Sequence, residues 1–101
     1  MIDFLKEYGI KEDTLEELEE KYDKAILYNL QVNELEIEKI IRYFKELGIN
    51  NIDDIILNKT ELFLKTFRKI KELFLINSNG TNIISLINEN IDNIDLLFRK
   101  D

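Results

Sequence analysis

The sequence holds 101 residues, 14 basic against 21 acidic for a formal charge of −7, and its 45% hydrophobic content suits one core rather than two domains. Cysteine, histidine, proline and tryptophan are absent, which excludes disulfides, thiolate nucleophiles, iron–sulfur clusters, the usual zinc sites and the side chain best suited to proton transfer near neutrality. The longest apolar run, Leu73 to Ile76, is far short of the roughly 20 residues of a membrane span. An acidic start containing Asp3, Glu7, Glu12 and Asp13 is unlike a secretory signal, so the expected setting is cytoplasmic.

Apolar positions recur at helical spacing throughout, and the expected fold is all-α. It is read as a compact bundle of five to seven helices or a short helical-repeat stack, in one domain over residues 1–101. Ile2 to Tyr8 predicts a short first helix stopped by Gly9, a residue that reaches the left-handed cap conformation at no steric cost. Asp13 or Thr14 opens a second helix. Its stripe is Leu15, Leu18, Tyr22, Ala25 and Ile26, with Glu17–Lys21 and Glu20–Lys24 as favourable i,i+4 pairs. Asn33, with Glu36 at the capping-box position, predicts a third helix on Ile37, Ile40, Ile41, Phe44 and Leu47, ended by Gly48. Asn51 caps a short helix through Ile52, Ile55 and Ile56, and Thr60 caps a longer one built on Phe63, Phe67, Ile70 and Phe74. Asn77-Ser78-Asn79-Gly80 reads as a loop. From Thr81 or Asn82 onward, Ile83, Leu86, Ile87, Ile91, Ile94 and Leu97 predict one bent helix or two short ones.

A weak internal repeat runs through these elements. Gly9-Ile10 and Gly48-Ile49 each follow a helix and precede a capped turn, and Asn51-Ile52, Ile55 and Ile56 reappear as Asn82-Ile83, Leu86 and Ile87. The run Tyr43-Phe44-Lys45-Glu46-Leu47-Gly48-Ile49, followed by Ile52, Ile55, Ile56 and Leu62-Phe63, resembles the repeats of mitochondrial transcription termination factor proteins. The resemblance covers roughly residues 4–90 and implies a helical-repeat module that binds nucleic acid in a basic groove. The family tends to place proline before the last helix of each unit, where this sequence has Asp23 and Lys59.

Charge is unevenly distributed. Residues 1–38 carry 4 basic and 12 acidic side chains, whereas residues 39–75 carry 8 basic and 5 acidic. Glu12, Asp13, Glu16, Glu17, Glu19, Glu20 and Asp23 form the first candidate site, an acidic face for a partner protein with a basic surface. The second candidate is a pair of basic stripes, Lys39, Arg42 and Lys45 with Lys65, Arg68, Lys69 and Lys71, which would flank a nucleic-acid backbone if their helices pack side by side. Both patterns also describe ordinary solvated helix faces. Phe44, Phe63, Phe67 and Phe74 are expected in the core, and Tyr8, Tyr28 and Tyr43 at its rim.

No pattern of catalytic, metal or cofactor residues emerges. Glu16 and Glu20 lie one turn apart on an open face, where no acid–base pair is set up. The expectation is a non-catalytic binder that modulates another macromolecule. Its size, its acidity and an Ile, Asn and Lys bias typical of AT-rich coding sequence fit a phage or mobile-element inhibitor of a nucleic-acid-handling enzyme, as anti-CRISPR proteins are.

Overall fold

In the computed structural model, residues 1–77 and 82–98 are described. They form η1 (Asp3–Tyr8), α1 (Glu12–Lys21), α2 (Lys24–Val32), α3 (Glu34–Leu47), α4 (Ile52–Asn58), η2 (Thr60–Leu64), α5 (Phe67–Asn77), α6 (Ile83–Glu89) and η3 (Ile91–Phe98), the η elements being 3-10 helices. The fold is all-α, with no strand among the described residues. The chain has a radius of gyration of 13.3 Å and extents of 39 × 23 × 21 Å.

Both glycine stops form, and by the same bonds. Gly9 has φ 96° and Gly48 φ 92°. In each, the glycine N–H donates to the carbonyl three residues back and the following isoleucine N–H to the carbonyl five back (Gly9 to Lys6, Ile10 to Leu5; Gly48 to Lys45, Ile49 to Phe44). The isoleucine and the residue it bonds are buried in both turns, which is the apolar contact that accompanies this cap.

The expected second helix is instead two. Tyr22 is extended, at φ −118° and ψ 151°, and ends α1. Asp23 then accepts the Ile26 N–H and caps α2. The Tyr22 hydroxyl donates to the Thr60 hydroxyl at 2.9 Å, and Thr60 donates to the Ile56 carbonyl at 2.6 Å. Thr60 is therefore a satisfied buried hydroxyl rather than an N-cap. The helix expected after it breaks at Lys65-Thr66 into η2 and α5, with Thr66 accepting the Lys69 N–H.

The capping box at Asn33 and Glu36 does not form either. Asn33 donates its amide to the Phe63 and Lys65 carbonyls, and Glu36 accepts the Phe67 N–H at 2.8 Å. The start of α3 thus clamps the junction between η2 and α5. Asn51 likewise makes no local cap and donates to the Ile87 carbonyl. Asn82 does cap α6, and the last region is two short helices. Of the predicted loop, Asn77 closes α5; positions 78–81 lie outside the described residues.

Phe44 centres the core, its ring 5.9 Å from Phe63 and 5.6 Å from Phe74, both edge-on. Around it Leu18, Leu30, Ile37, Ile40, Ile55, Ile70, Ile87 and Ile94 are wholly buried. Phe67, expected in the core, is half-buried beside Tyr43.

Candidate interaction surface

The acidic face is built on α1. Thr14, Leu15 and Leu18 are buried, so the remaining positions must point outward. At about 100° per residue, positions 12, 13, 16, 17, 19 and 20 fall in a sector of about 160° opposite those three. All seven predicted carboxylates are exposed. Two are engaged: Glu12 pairs with Lys6 at 3.1 Å, and Asp23 caps α2. The hydrogen bond from Lys6 to Glu12, then the Glu12 charge, raise the Lys6 pKa above its ordinary value. Asp13, Glu16, Glu17, Glu19 and Glu20 have no ion-pair partner among the described residues.

The expected i,i+4 pairs on this face do not form. Lys21 leans along the surface onto α4, donating to the Leu57 carbonyl at 2.7 Å with its ammonium 5.3 Å from the Tyr22 ring centre. Beside it runs a shallow groove lined by Glu17, Glu20, Lys21, Leu57 and Asn58. Lys21 and the carboxylates therefore leave α1 with an outer surface of almost one sign.

The basic stripes are arranged differently. On α3, Lys39 lies 3.8 Å from Glu36, Arg42 2.8 Å from Glu38, and Lys45 donates to the Tyr8 carbonyl at 2.8 Å. Lys45 thereby faces η1, where it shares a recess with Arg42, Glu7, Tyr8 and Glu38. Lys65 precedes α5, its ammonium 5.6 Å from the Phe98 ring, and Lys71 lies 5.9 Å from the Phe67 ring. Arg68 and Lys69 are exposed, without an ion-pair partner among the described residues.

α3 and α5 do pack side by side. Tyr43 meets Phe67 at 5.5 Å and Phe74 at 5.9 Å between ring centres. A groove opens there, lined by Lys39, Arg42, Tyr43, Glu46 and Phe67. A neighbouring recess on α5 is lined by Arg68, Lys71, Glu72 and Leu75. Burial raises the Tyr43 pKa above the usual phenol value, and burial followed by the Glu38 and Glu34 charges does the same at Tyr8.

One surface feature escapes the sequence reading. Tyr28, Val32 and Leu35, at the junction of α2 and α3, are 57%, 68% and 70% exposed. Only Tyr28 is expected at a rim. The available signal is that Val32 and Leu35 fall off the apolar stripes. Among the described residues no group of three or more carboxylates converges to hold a metal ion, and no helix is long and apolar enough to cross a membrane.

No family model, no curated protein and no solved structure matches this chain.

Proposed function

We propose that this protein is a non-catalytic binder whose acidic α1 face docks on the basic surface of another macromolecule, most specifically the phosphate-binding channel of a nucleic-acid-handling enzyme. The observation that carries this reading is the set of five exposed carboxylates on one helix with no ion-pair partner among the described residues. Glu12 to Glu20 rises about 12 Å, and its six carboxylates give roughly one charge per 2 Å, close to the ~1.7 Å per charge of duplex DNA. A channel shaped by evolution for phosphates meets a comparable charge density here. Because α1 is anchored through Leu15, Leu18 and Thr14, the charges are held on a rigid element and need little ordering on binding.

The test is capture from a nuclease-treated host lysate, followed by charge reversal. Glu16→Lys with Glu20→Lys is expected to weaken partner binding at least about tenfold and to reduce the salt dependence of the association rate. Equal binding by this variant and the parent protein ends the reading.

A second reading is a helical-repeat nucleic-acid-binding module, favoured by the α3/α5 groove, which sets the Tyr43 and Phe67 rings beside Lys39 and Arg42. Under it, Lys65→Glu with Arg68→Glu flattens the slope of log affinity against log salt by roughly two units, and the α1 variant binds as before.

A further inference from the structure

We propose that the α3/α5 groove receives helix α1 of a second copy of this chain, joining molecules head to tail. The groove has an apolar floor, Tyr43 and Phe67, and cationic walls, Lys39 and Arg42 on α3 with Arg68 and Lys71 farther along α5. Glu46 and Glu72 share these linings and Lys39 and Arg42 are already paired with Glu36 and Glu38, so of these four cations Arg68 and Lys71 are the ones without an ion-pair partner among the described residues. The surface of opposite sign on the same chain is the outer face of α1. That face cannot reach the groove of its own molecule: α1 is fixed on α4 by the Thr14 hydroxyl to Asp53 at 2.8 Å and the Lys21 ammonium to the Leu57 carbonyl at 2.7 Å. Each surface is left open by its own fold and complements the other. The carboxylates of an incoming α1 meet Arg68, which has no ion-pair partner among the described residues, and exchange with Glu36 and Glu38 at Lys39 and Arg42. Exposed pairs of that kind exchange at little cost, while the Tyr43 and Phe67 rings cover the glutamate methylenes.

The two surfaces are different patches, so the contact is heterologous and propagates into an open chain or closes into a ring. It uses the same carboxylates as the partner reading above but does not depend on that reading. Self-association would compete with the partner, so that protein concentration sets how much acidic face is free.

Sedimentation velocity of the intact protein decides the matter. The average mass is expected to rise above the 12.1 kDa monomer with concentration at about 50 mM salt and to return to it at about 500 mM. Glu16→Lys with Glu20→Lys retains a working groove, and Arg68→Glu with Lys71→Glu retains a working α1. Each variant alone is expected to be monomeric, and an equimolar mixture to associate again, since each variant supplies the surface that the other lacks. Should a reversal reduce helicity, Glu16→Gln with Glu20→Gln is expected to shift the midpoint of association several-fold in the same direction. A protein monomeric at every salt concentration, self-association untouched by the reversals, or variants that do not pair on mixing overturns the proposal. A short oligonucleotide bound to a protein that is monomeric without it assigns the groove to nucleic acid and overturns it as well. None of these results bears on capture of a partner by the monomer, which is measured separately.

Discussion

Helices α1 and α3 differ most in how their charges are engaged: α3 carries three basic and four acidic side chains, and α1 one basic and six acidic. On α3, Lys39, Arg42 and Lys45 each have an acceptor within the molecule. On α1, five carboxylates have no ion-pair partner among the described residues. A count along the sequence already separates the near-balanced α3 from the acidic α1, and the fold widens the difference. Surface potential follows from compensation, and compensation is a property of the fold.

The two surfaces share one core, so the largest effect comes from opening it. Phe44→Ala removes the ring that meets Phe63 and Phe74 and is expected to cost about 3–5 kcal/mol in urea denaturation. Loss of under 1 kcal/mol would mean that α1 and α3 do not depend on a common centre.

The glycine turns compare the same regions more gently. Gly48→Ala places a Cβ in open space at φ +92°, so its cost is the left-handed backbone alone, about 1–2 kcal/mol. At Gly9 the Cβ would also come within 3.0 Å of the Lys45 ammonium nitrogen, which must shift from its place against the Tyr8 carbonyl. Thermal melts should rank Gly9→Ala as the more damaging substitution; the reverse order would show that the Lys45 contact contributes nothing.

Compensation itself is tested by Glu38→Gln, which releases Arg42. Stability should change by less than about 0.5 kcal/mol, since the pair is exposed. Retention on a polyanion column should rise. Unchanged retention would indicate that α3 was never masked.

The smallest effect concerns pH. Hydrogen bonding to Asp95, and then to Asp92, raises the Lys59 pKa against the opposing effect of desolvation. A raised folded-state value means that the contribution is complete below the unfolded pKa of about 10.4 and is lost as pH rises through the folded value. The difference in Tm between the parent protein and Lys59→Met should therefore hold at pH 7 and shrink in strong alkali. A constant difference would remove Lys59 from the pH response.

What the sequence conveys about this fold is its local part. Gly9, Gly48 and the stripe under α3 are legible because they follow from residue spacing within one helix. The break at Tyr22 is only partly so: Asp23 is a local cap, whereas the partner of Tyr22, Thr60, is 38 positions away. Asn33 and Glu36 have capping spacing and still serve η2 and α5, since a helix start elsewhere presents the same N–H and carbonyl groups as their own. The candidate surfaces divide in the same way. Exposure of the α1 carboxylates can be read from the buried stripe, whereas the acceptors that engage Lys21 and Lys45 lie 36 and 37 positions distant.

Asp53 has a consequence for how the molecule opens. It accepts both the Lys11 N–H and the Thr14 hydroxyl at 2.8 Å, and α1 has no side-chain cap of its own. The acidic helix therefore borrows its N-terminal acceptor from α4, where a negative charge also suits the helix dipole. A segment comprising only the first two helices would lack that acceptor, and α1 should fray in it. In hydrogen exchange, the first-turn amides of α1 should open together with α4 as one cooperative unit rather than as an independent surface helix.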